Sequence, residues 1–515
     1  VSAQEYDVAI VGGGHNGLVA AAYCARAGLR TVVLERRPVL GGATLTDEVW
    51  PGYRLSVASY VCSLFDPRIV DELNLRAHGY DAYRKDPASF TPLADGRSLL
   101  LGRDDEANAR EVAAFDERDV AGLAAFEREA TRLGSLLADS FDDPEPSFEK
   151  FPDDVQATLR GSAADLVERY VRTPVLAATL ATDGLIGTEA GPRDPGTAYV
   201  LAHHYAGRAL GAQGAWGFVR GGMGAIATAL ASAARAAGAE LRTDAAVARI
   251  AVRDGRAARL ELANGAVVEA GAILVNADPK TLFLKLLDAG DVPGALLARA
   301  HAWRSNGVAF KLNLALGELP NFSARPGNDR VQPHHRATIH IAPDVDYLQA
   351  AHDDGKALGA SRAPMLECFM QSPTDPTMVP AGKHVMSIFA QYFPYERSDR
   401  PWQPADRAAI ADLLIATLGR YAPNLPGAIE HRQALGAPDI ESLIGISGGQ
   451  IFHGELLPDQ IYERRFATRT GIAGLYLCGS GAHPGGCVSG FPGRRAAEAV
   501  IADVAKVASS VSLGR

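Results

Sequence analysis

The chain opens with an apolar run, Tyr6 to Val11, that leads directly into Gly12-Gly13-Gly14-His15-Asn16-Gly17. Apolar residues then recur at helical spacing through Ala27, Gly28 interrupts them, and Thr31 to Leu34 forms a second apolar run ending on Glu35. Short apolar runs bounded by turn residues read as buried strands, and a 3.6-residue period reads as helix. The segment is therefore strand, glycine turn, helix, strand. The same reading predicts a helix over Val120 to Leu137, broken at Asp142-Asp143-Pro144-Glu145-Pro146 by a surface loop, and an alanine-rich helix from Ala225 to Ala237 stopped by Gly238. Short strands follow at Glu240 to Thr243, Ala246 to Val252, Ala257 to Leu262 and Val267 to Val275, with turn signals at Asp254-Gly255 and Asn264-Gly265. Further on come strands at Ala309 to Ala315 and Val385 to Tyr392, and a helix over Ala405 to Tyr421. A last buried strand, Leu475 to Leu477, enters a second glycine-rich loop, and an apolar helix runs from Arg494 to Val507.

Each part of the first turn has a physical role. Gly12 lets the chain leave the strand sharply, Gly14 leaves room for a pyrophosphate, and Gly17 lets the helix lie close to the strand. The helix start around His15 and Asn16 offers unpaired N–H groups and the positive end of the helix dipole to phosphate. Glu35 follows Gly17 by 18 residues, near the usual spacing of about 20 for the acid that accepts from a ribose. Arg36 is placed to lie over an adenine or to contact phosphate, with a solvated charge as the alternative. Gly41-Gly42-Ala43-Thr44 should bring backbone, and the Thr44 hydroxyl, close to the same group.

NAD and FAD share the ADP half, so this unit alone leaves both open. The second loop discriminates. Cys478-Gly479-Ser480-Gly481, His483 and Gly486-Cys487 form a strand–glycine loop–helix element far from the first in sequence. In glutathione-reductase-type flavoproteins such an element returns to the nucleotide domain, and its helix start faces the flavin, where a positive dipole end stabilises the anionic reduced ring. FAD is thus the expected cofactor. No second strand–G-x-G-x-x-G–helix unit is present for a tightly held nicotinamide nucleotide.

At this point the residues resemble a known superfamily, the phytoene desaturases and carotenoid isomerases. The chain looks most like the group named pyridine nucleotide-disulfide oxidoreductase domain-containing protein 2. The resemblance spans nearly the whole chain and rests on Pro51-Gly52-Tyr53-Arg54, Ala58-Ser59-Tyr60, Ser89-Phe90-Thr91-Pro92, His203-His204 and Gly214-Ala215-Trp216-Gly217. It continues through Gly221-Gly222-Met223-Gly224, Phe452-His453-Gly454-Glu455-Leu456 and Cys478 to Gly486. It implies an α/β fold with a glutathione-reductase-type (Rossmann-like) FAD-binding domain built from residues 1–60, 216–289 and 446–515. Residues 61–215 and 290–445 would form an inserted α+β substrate domain. It implies adenine contacts from the backbone of Val247. It also implies an FAD-dependent dehydrogenase or oxidase moving a hydride from an apolar or amphipathic small molecule to flavin N5. Alternatives are a flavin-dependent polyene isomerase or saturase, a flavin amine oxidase, and a non-catalytic FAD-retaining binding protein. Ser480 departs from the Asp common after the loop glycine, so a hydroxyl or backbone N–H takes the place of a carboxylate.

Flavin chemistry needs no protein nucleophile, and an acid or base only where a second proton moves. His203-His204 and the pair His453 and Glu455 are the candidates, each weighed against simple packing. His334-His335 with His340 lacks the carboxylate or cysteine spacing of a metal site and reads as a surface loop, so no metal is expected. Tyr60, Trp216 and Phe491 read as core aromatics.

Net charge of −9 and the absence of a basic stripe argue against nucleic acid. No apolar run reaches the roughly 18 residues of a membrane helix, which leaves peripheral contact as the only membrane role considered. The first strand begins too early for a secretory signal within this chain. None of the five cysteines forms a C-x-x-C pair, which speaks against a dithiol centre and suits the cytoplasm. The electron acceptor is left open between oxygen, a quinone and another acceptor, and so is the oligomeric state.

Overall fold

The computed structural model describes residues 4–513, with side chains for 5–506. Two seven-stranded sheets organise it. In the first, the strands run in the order Val247–Arg253, Arg256–Leu262, Val267–Val275, Gln4–Val11, Thr31–Leu34, Glu240–Arg242, and Leu475–Leu477 adds in parallel to Val267–Val275. Its centre is parallel: Gln4–Val11 pairs in that sense with both Val267–Val275 and Thr31–Leu34. Parallel strands are covered on both faces, which is why they read as continuous apolar runs. Val8, Ala9, Ile10, Val32 and Val33 are fully buried. The helices His15–Arg26, Gly224–Ala236 and Phe491–Leu513 cover one face. The Val247–Leu262 hairpin side, with Leu282, Phe283, Trp303 and Phe466, fills the other.

Both ends of the chain meet in this sheet. A Cβ on Gly493, in the first turn of the last helix, would stand 2.2 Å from the Asn16 carbonyl oxygen. Only a bare glycine lets the two helix starts lie this close. Predicted elements and observed ones agree within three residues at the hairpin strands, the helix Arg118–Ser140 and the helix Asp406–Gly419. Cys24 and Cys478 are core residues.

The second sheet has the order Ile429–Leu435, Ala309–Leu316, His384–Gln391, Leu366–Phe369, Thr338–Ile341, Ser89–Pro92, Ser98–Leu101. Side chains alternate across a strand, and here the two faces differ in chemistry. Phe310, Leu312, Ile339, Leu366 and Ile388 join the helix Asp406–Gly419 in one apolar core. The opposite face carries Lys311, His340, Glu367 and Phe389, turned toward the helices Arg118–Ser140 and Thr197–Tyr205 and the cavities described below. These four stand in a single cross-strand row, Lys311 opposite Phe389, Phe389 opposite Glu367, Glu367 opposite His340.

The surface-loop reading of His334-His335 is corrected. Both rings are buried in a one-turn helix begun by Pro333. His335 is held between the Pro320 carbonyl (2.9 Å) and the Gln332 N–H (3.0 Å), and His334 packs on Phe90 and Phe322. A neutral imidazole with its nitrogens satisfied buries as readily as other aromatics. His340 lies apart from them, in a strand. Among the described residues no group of three or more His, Cys, Asp or Glu is arranged to hold a metal.

A candidate nucleotide cleft and the chambers behind it

The first turn is built by steric necessity. Gly12 has φ +98°, and a Cβ there would stand 2.8 Å from the Asn276 carbonyl oxygen. A Cβ on Gly17 would fall 2.2 Å from the Gly12 oxygen. Gly14 is extended (φ −73°, ψ 173°) and caps a helix with no acidic side chain in its first turn. With its oxygen toward the turn, the Asn276 amide accepts from the N–H groups of Gly14 (3.2 Å) and Gly17 (3.1 Å). Glu35 is buried and its carboxylate accepts from Gly13 N–H (2.7 Å) and Arg37 N–H (2.9 Å). It fixes the turn as well as facing the cleft.

The cleft is a cavity of about 320 Å³. Gly12, Gly14, His15, Asn16, Glu35 and Arg36 line one side; Gly42, Ala43, Val247, Ser480 and His453 line the others. Asn16 Nδ2 donates to Ser480 Oγ at 3.2 Å, which joins the two glycine loops across it. Arg36 donates to the carbonyls of Ser442 (3.2 Å) and Leu443 (3.5 Å), the end of a helix, so its charge rests on carbonyls at the cleft edge.

Other expected contacts lie behind the cleft. Gly17, Gly41 and Thr44 do not line it, and the Thr44 hydroxyl donates to the Gly41 carbonyl (2.8 Å). Gly479, Gly481 and Gly486 serve close packing: Cβ atoms there would stand 2.8 Å from the Ala277 oxygen, 2.4 Å from Pro279 and 2.1 Å from Phe452. His483 is buried against Tyr462 and Phe141, away from the cavity walls.

The cleft opens into an apolar chamber of about 150 Å³ that shares His15, Ala43, Ile444, Ile446, His453 and Ser480 with it. Tyr60 and Trp216, read from the sequence as core, line this chamber, while Phe491 packs in the core against Phe141. Cys487 lines it too. His204 reaches it, with Nδ1 donating to the Asp183 carbonyl (2.7 Å), which leaves Nε2 to accept from the Cys487 thiol at 3.7 Å. Burial lowers His204 to about 4, so it is neutral near pH 7. His203 lines none of these cavities; it packs on Phe141 and Tyr199 with both nitrogens unpartnered. Glu455 is also fully buried elsewhere, accepting from Thr188 Oγ1 (2.8 Å) and Gln450 Nε2 (3.0 Å). The structure therefore separates the His453–Glu455 pair: His453 faces both cavities and Glu455 braces a loop.

Two residues escaped the sequence reading. Lys311 enters the apolar chamber, only 4% exposed, with Nζ unpartnered and 3.6 Å from the centre of the Tyr60 ring. Burial holds its pKa well below the ordinary lysine value. The available signal was a lysine in the middle of an otherwise apolar strand. Arg465, equally buried, donates to the carbonyls of Phe452 (2.6 Å), Ser480 (2.7 Å), Glu455 (3.0 Å) and Gln460 (3.3 Å). It ties the His453 loop to the Ser480 loop.

Three buried polar atoms around the cleft have no partner within the chain: His15 Nε2, Asn16 Oδ1 and His453 Nδ1. Buried polar groups are almost always hydrogen-bonded. Polar atoms left open on two sides of a glycine-floored cleft fit a bound dinucleotide.

A Rossmann-like nucleotide cleft beside an apolar chamber is an arrangement that suits an oxidoreductase. Residues 10–73 match the family described as NAD(P)-binding Rossmann-like domain. The chain is 38% identical to the mouse pyridine nucleotide-disulfide oxidoreductase domain-containing protein 2, over 97% of this chain and 94% of that one. It is 25% identical to a phytoene desaturase (lycopene-forming) of Pseudescherichia vulneris, over 94% and 96% of the two chains. Among solved structures, an oxidoreductase from Methanosarcina mazei shares the fold, with TM-score 0.60 and 15% identity over 97% of this chain and 100% of that one. The protein is an oxidoreductase with a mixed α/β fold. It belongs to the family of pyridine nucleotide-disulfide oxidoreductase domain-containing protein 2. The five cysteines are all free.

Proposed function

We propose that the cofactor is FAD and that the chain oxidises an apolar or amphipathic small molecule in the chamber behind the cleft. The observation that carries this reading is the junction of Asn16 and Ser480 between two loops 464 residues apart, with unpartnered buried atoms on both sides of it. A nucleotide enclosed by both ends of the chain suits a resident flavin better than a nicotinamide that must leave after each turnover. The relationship to a phytoene desaturase supports an apolar substrate.

Glu35 and the Val247 backbone would hold the adenosine end, the turn at Gly14, His15 and Asn16 the pyrophosphate, and Ser480 and His453 the flavin end. Bound there, FAD supplies a hydride acceptor at N5, to be reoxidised by oxygen or a quinone. The chain's own residues do the rest. Ile186, Phe389, Ile451 and Phe452 exclude water and orient an apolar substrate. Tyr60 and Trp216 flank its path. Lys311, whose pKa burial holds well below the ordinary lysine value and whose Nζ has no hydrogen-bond partner, is the group placed to take a proton from the substrate in the chamber; His204 is already engaged by the Asp183 carbonyl and Cys487. In this reading residues 1–60, 216–289 and 446–515 form the FAD-binding domain and 61–215 with 290–445 the substrate domain.

The test is the visible spectrum of the purified protein and the identity of any nucleotide released on denaturation, followed by anaerobic titration with candidate donors. Flavin absorbance bleached by a donor supports the reading. Release of a nicotinamide nucleotide in its place would end it.

A further inference from the structure

Next to the apolar chamber lies a third cavity of about 300 Å³, which shares Tyr60, Val61, Ile186 and Trp216 with it as lining. Its chemistry is different. Asp183, Glu367, Lys85 and His340 line it together with the rings of Phe369 and Tyr205. Glu367 is 3% exposed. Among the described residues neither Asp183 nor Glu367 has a Lys or Arg nitrogen within 4.0 Å; the nearest ion-pair contact is His340 Nε2 to Glu367 Oε1 at 3.9 Å. Lys85 is committed elsewhere, donating to Thr338 Oγ1 and lying 5.0 Å from the centre of the Phe369 ring. His340 Nδ1 is buried without a partner. The mouth residues Arg84, Arg103, Asp105 and Glu127 sum to no net charge.

We propose that this cavity is a subsite for a cationic group of the substrate, an alkylammonium whose apolar remainder passes between Tyr60 and Trp216 into the chamber of Lys311. The inference rests on the reading of that chamber as the place of oxidation. With His340 neutral and Glu367 carrying a proton near pH 7, Asp183 is balanced by Lys85, and Glu367 is a second carboxyl with no Lys or Arg partner, able to ionise against an entering cation. A carboxylate-bearing substrate would add a third acid to the two present. An ammonium meets a carboxyl that has no Lys or Arg partner and the faces of Tyr60, Trp216 and Phe369, which attract cations. The four groups that face Glu367 are Asp183, Lys85, His340 and Tyr60. Burial, and then the Asp183 charge, push Glu367 up to about 8, so the empty subsite holds a proton near pH 7. An entering cation favours the ionised form, and that proton leaves to solvent as the ion pair forms.

The experiment is isothermal calorimetry on the purified full chain at pH 7, with n-octylammonium, n-octanol and octanoate as probes, in buffers of different ionisation enthalpy. The expected result is octylammonium binding at least about tenfold tighter than octanol, octanoate weaker than both, and proton release on octylammonium binding alone. Glu367→Gln should abolish the proton release, and both Glu367→Gln and Asp183→Asn should bring octylammonium down toward octanol, whose own affinity stays put. Octylammonium no tighter than octanol, or a preference for octanoate, in the unmodified chain overturns the proposal, as does a cation preference that survives both substitutions. Flavin content is recorded on the same samples. A yellow protein with no cation preference sinks the subsite alone; a colourless one with cation preference and proton release supports the subsite and sinks the cofactor reading.

Discussion

Asn16 donates its side-chain amide to Ser480 Oγ at 3.2 Å, although 464 residues separate them. The contact sits where the first helix and the last helix begin, and Gly493 lets those two starts touch. A ligand held there is held by both ends of the chain. Binding it to the native state alone also stabilises the fold, by RT ln(1 + L/Kd) with L the free ligand concentration.

Two glycines of the same turn should fail in different ways. Gly14 has backbone angles any residue adopts, and a Cβ there meets only the Asn276 amide at 3.0 Å. Gly14→Val should fold and lose bound flavin by at least about tenfold, because its branches enter the space of the pyrophosphate. Gly17→Val puts a Cβ 2.2 Å from the Gly12 oxygen and should not yield folded protein. Circular dichroism and the ratio of flavin to protein absorbance separate the two outcomes.

Lys311→Met should slow anaerobic flavin reduction by about 10²-fold with any donor that bleaches the unmodified protein. Flavin content should be unchanged. Stability should rise by about 1 kcal/mol, since an unpartnered buried amine is replaced by an apolar chain of similar length. Stopped-flow absorbance and urea unfolding provide the two readings.

Arg465→Met should have the opposite effect on the fold. It leaves the carbonyls of Phe452, Glu455, Gln460 and Ser480 without their common donor. A loss on the order of 3 kcal/mol is expected in urea unfolding, with weaker flavin retention as the Ser480 loop loosens.

Stability should fall as pH drops below about 6.5. Burial lowers His15, His334, His340 and His483 to about 3, His204 and His453 to about 4, and holds His203 well below its ordinary value. In the unfolded chain they take up protons near pH 6.5. Groups with depressed native values stabilise above the unfolded pKa, and that contribution is lost as pH falls toward the folded one. Burial raises three carboxyls, Asp183 to about 6, Glu455 to about 7 and Glu367 to about 8, and these act the other way. Seven histidines against three carboxyls leave a net uptake on the order of four protons on unfolding between pH 5 and 6.5. Calorimetric Tm should therefore be lower at pH 5 than at pH 7.5; an equal or higher Tm at pH 5 would contradict the burial of these rings in neutral form.

The glycine turn, the hairpins and the parallel strands were legible because their causes are local. Gly12 and Gly17 answer to steric limits within a few residues, and Asn264-Gly265 dictates its own turn. The chambers were not legible in the same way. Lys311, Glu367 and His340 lie in three strands brought into one row by register, and no single stretch records that they share a face. His453 and Glu455 are only two apart, yet a left-handed backbone at His453 (φ 60°) sends them to different surroundings. Arg465 looks in the sequence like an ordinary charge; its burial follows from four carbonyls that converge only in the folded chain.

The most direct measurement is the nucleotide content of the purified protein, read from its visible spectrum and from chromatography of the denatured supernatant. The account predicts flavin absorbance near 450 nm and release of about one FAD per chain, both lost in Gly14→Val. A correctly folded, colourless protein that takes up no added FAD, or one that releases NAD or NADP, would contradict it.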